Sequence, residues 1–93
     1  MKSLDNVKNK MIEMGRCKAT KTLGHAAASA CDQKYGVSFL RICVGLDYAN
    51  KKLAIGLFDI ANQPDFNNYD QREMLHWLEE NDYLSNTPTA EQL

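Results

Sequence analysis

The sequence predicts an α+β domain: an N-terminal helix with a break near Gly15, an antiparallel β-hairpin and a short C-terminal helix, with the sheet extended across a dimer. Three observations predict it. Residues 4–34 space their apolar side chains as a helix does, residues 38–60 alternate in side-chain character about a turn, and residues 71–82 return to helical spacing. Residues 1–84 form the single domain, and the polar, proline-containing segment 85–93 (SNTPTAEQL) reads as a loose tail.

The first element places Leu4, Val7, Met11 and Met14 on one helical stripe. Beyond Gly15 the stripe moves to Ala19, Leu23, Ala26 and Ala30, about 90° around an uninterrupted helix. A glycine inside a helix costs ~1 kcal/mol relative to alanine, so a break at Gly15 accommodates the shift. The second half is built from small residues, Gly24, Ala26, Ala27, Ala28, Ser29 and Ala30, which permit close approach of another element. Gly36 is the expected C-cap.

The second element, Ser38–Ile60, reads as two strands turning at Ala49-Asn50. Pairing Tyr48 with Lys51 sets Leu46 against Leu53, Val44 against Ile55 and Ile42 against Leu57. One face is then apolar: Leu40, Ile42, Val44, Leu46, Leu53, Ile55 and Leu57. The other carries a shallow centre of Cys43, Gly45, Ala54 and Gly56, rimmed by Phe39, Phe58 and Arg41. Glycine inside a strand marks close approach of a backbone or ligand, so this second face is a candidate contact surface. A lone hairpin has two open edges and is marginal in water, which predicts a homodimer with a four-stranded sheet.

In the third element Asp70 and Glu73 outline a capping box, and Met74, Leu75, Trp77 and Leu78 face the core. The preceding segment 61–70 is a turn-rich linker.

The totals are those of an ordinary globular domain: 93 residues, 44% hydrophobic and 25% charged. No apolar run approaches the ~18 residues of a membrane span, and the polar start MKSLDNVKNK has no secretory core, so no membrane association is expected. Cys17, Cys31 and Cys43 are odd in number and form no CxxC, which reads as reduced thiols in a cytoplasmic protein, at least two of them as small buried side chains. The net charge of −1 conceals a division: residues 1–52 hold ten Lys/Arg and four Asp/Glu, and residues 53–93 hold one Arg and eight Asp/Glu. Packing of the basic half on the acidic half is one reading of this, and a partner surface is the other.

Three sets of residues bear on chemistry. His76 has Glu73 and Glu80 within one helical turn, but a His with two carboxylates and no HExxH or cysteine falls short of a metal site. His25, Ser29 and Asp32 are the residue types of an acyl-transfer triad, yet they sit on successive turns of one helix with no GxSxG elbow. Cys17 lies between Arg16 and Lys18 with no evident base. No catalytic residue, metal or cofactor is therefore assigned. The sequence supports a small non-enzymatic interaction or regulatory protein acting as a homodimer. It would bind a protein or small molecule through Phe39, Arg41, Cys43, Gly45, Ala54, Gly56 and Phe58, or through Glu79 and Glu80 on the acidic helix. The alternative is nucleic-acid binding through Lys10, Arg16, Lys18 and Lys21.

Overall fold

The computed structural model describes residues 1–84, and the tail at 85–93 lies outside the described residues. Five α-helices run in order: α1 (Lys2–Met14), α2 (Lys18–Cys31), α3 (Phe39–Gly45), α4 (Tyr48–Gly56) and α5 (Asn68–Glu80), with a 3₁₀ segment (Leu57–Asn62) between α4 and α5. There is no strand among the described residues. The fold is all-helical, and the expectation of an α+β domain with a β-hairpin is corrected. The sheet-extended dimer falls with it, because the strand edges it required do not exist.

The N-terminal break occurs at Gly15, whose φ of +69° is left-handed backbone that glycine adopts without a Cβ penalty. Leu4, Val7 and Met11 are buried on α1. The helix after the break ends earlier than Gly36 implies: α2 stops at Cys31, and Asp32 is extended. In α5 the cap is Asn67 rather than Asp70. The Asn67 side chain accepts the Asp70 amide at 2.7 Å, and the helix begins three residues earlier than the capping-box outline suggests.

The segment taken for a hairpin consists of two short capped helices. The Ser38 hydroxyl accepts the Arg41 amide at 3.3 Å, and the Asp47 carboxylate accepts the Asn50 amide at 2.9 Å. Both contacts are N-caps, in which a side-chain oxygen satisfies an amide that the first turn leaves unpaired. Asp47, Ala49 and Asn50 therefore start α4 rather than turn a hairpin, and Asn50 is buried in it. The alternation in the sequence has a helical origin. Ile42 and Leu46, four apart, point into the core. Leu40 and Val44, also four apart, point out of it.

α2 is the hub. It packs against α1, α3, α4, the 3₁₀ segment and α5. Contact with so many neighbours is possible only because most of its side chains are small: Thr20, Thr22, Gly24, Ala26, Ala27 and Ala28 are all buried alongside Leu23 and His25. At Gly24 three elements converge. A Cβ there would lie 3.1 Å from Met11 Cε, 3.5 Å from Tyr83 Cβ and 3.6 Å from Leu78 Cδ2.

The basic and acidic halves do pack together. The α-amino group of Met1 pairs with Asp70, and the Lys2 amide donates to Asp65 Oδ2 at 2.7 Å, which fastens the start of α1 to the loop before α5. Lys8 lies 5.3 Å from the Trp77 ring centroid. Arg16 donates to the Asn81 carbonyl and stacks 4.6 Å from the Tyr83 ring centroid.

Two glycines test this packing, and the second distinguishes helix from strand. Gly24→Val overfills the site where α1, α2 and α5 meet and is expected to lose roughly 1–3 kcal/mol. Gly56 has helical backbone (φ −60°, ψ −22°) and open space around it, so Gly56→Ala should gain about 0.5–1 kcal/mol. Denaturant midpoints measure both, and a destabilised Gly56→Ala protein would contradict the helical assignment.

Candidate interaction surface

α3 and α4 turn apolar side chains away from the core. On α3 the buried residue is Ile42, and Leu40 and Val44, two residues to either side, lie about 200° around the helix from it. They are 69% and 76% exposed. On α4 the buried residues are Asn50 and Ala54, and Tyr48 and Ile55 project outward, 74% and 58% exposed. Phe39 at the start of α3 and Phe58 in the 3₁₀ segment join the two helices at one end, with ring centroids 5.9 Å apart and both side chains about two-thirds exposed.

Beside Phe58 lies an open groove of about 310 Å³. Ala26 and Ala30 of α2 form its floor, and Val37, Ile42, Leu57 and Ile60 its walls. Its one polar side chain, Ser29, is already engaged, donating to the Ala26 carbonyl at 2.8 Å. The groove thus continues the apolar face inward as a pocket without free hydrogen-bonding side-chain groups.

The structure brings together only part of the predicted surface. Phe39, Arg41, Cys43 and Phe58 are exposed on this side of the molecule. The small-residue centre is not formed, because helical rotation separates what strand alternation would align. Ala54 is 3% exposed and belongs to the core. Gly45 approaches Thr22 of α2 and the Arg41 side chain, each 3.9 Å from where its Cβ would be. Gly56 opens to solvent. Glu79 and Glu80 are exposed on α5, which packs on α1 and α2 and makes no contact with α3 or α4 among the described residues. Glu80 there pairs with His76 at 3.0 Å. Leu40, Val44 and Ile55, which the strand register assigns to the core, are instead the outward residues. The i, i+4 spacing of Leu40 with Val44 and the i, i+7 spacing of Tyr48 with Ile55 are the signals that find them.

The basic set is divided as well. Lys10 pairs with Glu13 at 3.6 Å, and Arg16 is folded onto Tyr83 and Asn81. Lys18 and Lys21 remain exposed on α2.

Of the groups with catalytic chemistry, Ser29 and Asp32 are engaged in local hydrogen bonds. Ser29 bonds Ala26, and Asp32 accepts the Lys34 amide at 3.0 Å. His25 is 3% exposed on the α2 face beneath α3, and its Nε2 has no hydrogen-bond partner among the described residues. Burial holds its pKa below the ordinary value, and the nearby Lys21 and Arg41 charges push the same way. No group of three or more His, Cys, Asp or Glu side chains is placed to hold a metal among the described residues. The cysteines differ from the expectation of buried thiols: Cys17 and Cys43 are exposed, and Cys31 is half-buried. Hydrogen bonding to Thr20, 3.1 Å away, lowers the Cys17 pKa. Burial, with the Asp32 charge, pushes Cys31 up to about 12.

Two titrations follow. His25 takes up its proton less readily folded than unfolded, so the unfolded chain binds more protons below the ordinary imidazole pKa of ~6.5. Stability should therefore fall as pH drops below that value, by at most ~1.4 kcal/mol per pH unit from this one group. His25→Gln should flatten the slope in that range, and an unchanged slope would remove His25 as its source. For the thiols, iodoacetamide at neutral pH should modify Cys17 well before Cys31, since the thiolate is the nucleophile. Peptide mapping by mass spectrometry reads the order, and equal rates would contradict the assigned environments.

A scan against protein-family models found no match for the chain, nor did searches of curated proteins and of solved structures.

Proposed function

We propose that the protein is a small, non-enzymatic interaction or regulatory module that docks a protein partner on the outward face of α3, α4 and the 3₁₀ segment. One observation carries this reading: Phe39, Leu40, Val44, Tyr48, Ile55 and Phe58 are each more than half exposed on adjoining elements. Soluble chains rarely leave so many large apolar side chains together in water unless a partner covers them. α3 and α4 carry large apolar side chains on more than one face, and each is buried on only one. The groove beside Phe58 supports the same reading, since a bulky apolar side chain of a partner would fill it as an anchor residue fills its pocket.

The division of the basic residues weighs against the nucleic-acid alternative, because two of the four are already engaged within the fold. A reducing, cytoplasmic setting is part of the proposal and is supported by three unpaired thiols. No helix is long and apolar enough to cross a membrane among the described residues.

A photo-crosslinking residue placed at Val44 and irradiated in living cells should give covalent adducts of discrete mass. The same residue at Glu13 on α1 should not, and Leu40→Glu should abolish the adducts from Val44. Absence of any adduct at Val44 would overturn the proposal.

A further inference from the structure

We infer that the occupant of this face is a second copy of the chain, joined in a two-fold dimer through α3, α4 and the 3₁₀ segment. The inference rests on the docking reading above and names its partner. Three observations favour a second copy.

The first is the rim of the patch. Arg41 and Lys52 are exposed beside it, and so are Asp47 and Asp59. A two-fold interface applies the same surface to itself, so a rim of one sign would repel its own copy. Exposed bases and acids are both present, with the half-buried Lys51 adding one further base, so bases of one copy can meet acids of the other. The overall charge of −1 adds no long-range repulsion between copies.

The second is area. With about 200 Å² for a large side chain, the six residues at their observed exposures offer on the order of 800 Å² per chain. That is close to the ~800 Å² that each partner contributes to a standard-sized interface. The patch is therefore large enough for a stable pair and not so large that it demands a bigger assembly.

The third is the aromatic pair at the edge of the patch. Phe39 stands beside Phe58 at the mouth of the groove, so in a two-fold pair an aromatic side chain of one copy is at hand for the pocket of the other.

Sedimentation equilibrium of the purified chain across the micromolar range tests this. The natural protein should sediment between one and two chain masses and approach two as concentration rises. Val44→Glu places a charge at the centre of the patch and should weaken self-association by roughly tenfold or more. Glu79→Lys with Glu80→Lys, on the far helix, should leave it unchanged. Circular dichroism checks that each variant keeps its helix, and Ile55→Gln on α4 replaces Val44→Glu if that variant unfolds. A natural protein that stays monomeric, or a Val44→Glu protein that dimerises as well as the natural one, overturns the inference. Binding of the apolar dye bis-ANS separates this from the underlying reading. A monomer that binds the dye, and loses it on Val44→Glu, has a free face for another protein. A monomer that binds none has neither the dimer nor the docking face.

Discussion

The close approach of α1 and α5 to the small-residue surface of α2 is the constraint on which the rest of the structure depends. Leu23, Ala27 and Ala28 have no exposed surface, and Gly24 sits where Met11, Leu78 and Tyr83 meet. Packing at native density leaves no room there for a larger side chain without displacement of a neighbouring helix. Because α2 presents mostly glycine, alanine and threonine around Leu23 and His25, five elements can surround a single helix in a chain of this size. Most of the large side chains that fill the core come from the surrounding helices: Val7 and Met11 from α1, Leu57 from the 3₁₀ segment, Met74 and Leu78 from α5. The ion pair of the Met1 amine with Asp70 and the seating of Arg16 on Tyr83 then tie the two ends of α1 to the two ends of α5. At the Met1 end, the amine lowers the Asp70 pKa and Asp70 raises that of the amine. The pair thus supports the fold between the ordinary carboxylate and amine ranges, and its support fades as Asp70 protonates in acid or as the amine deprotonates in base.

α3 and α4 form the other side of the molecule, and they are held differently. They are seven and nine residues long, too short to be stable helices by themselves. Each is started by a side-chain cap and anchored by few buried residues: Ile42 alone on α3, Asn50 and Ala54 on α4. The contrast with α1 and α5, which seal their apolar stripes against α2, follows from the sequence. In 39–58 the apolar residues exceed what one helical face can bury, so some must point outward.

That same excess is why the fold was only partly legible. The stripe Leu4, Val7, Met11, the break at Gly15 and the inward set on α5 can be read from spacing, because each has one apolar face and one polar face. Residues 38–60 lack that contrast. With Leu40, Ile42, Val44 and Leu46 all apolar, a period of two and a period of 3.6 both fit, and short apolar runs do not discriminate between them. The glycines at 45 and 56 added weight to a strand, whereas both lie in helical turns. The deciding signals were local: Ser38 and Asp47, each placed three residues before the amide it caps. The candidate site inherited the error in an instructive way. Phe39 and Phe58 are exposed under either reading, but helical rotation exchanges Leu40, Val44 and Ile55 with Ala54 between the inner and outer faces.

The inner and outer sides of this region bear on one another. Beneath α3 lies His25 with an unpartnered Nε2, and within α4 lies Asn50, whose Nδ2 reaches Met14 Sδ at 3.3 Å while its Oδ1 has no partner among the described residues. A buried polar atom without a partner costs about 1–3 kcal/mol. The region therefore has weakened support below and uncovered apolar surface above. In a domain with only ~5–15 kcal/mol of total stability, unpaired groups of this kind lower the cost of opening the layer locally. Covering Leu40, Val44, Tyr48 and Ile55 removes apolar surface from water only while α3 and α4 remain folded, so any partner on that face stabilises the helices that present it. Under the proposed function, docking and the ordering of this layer are coupled for that reason.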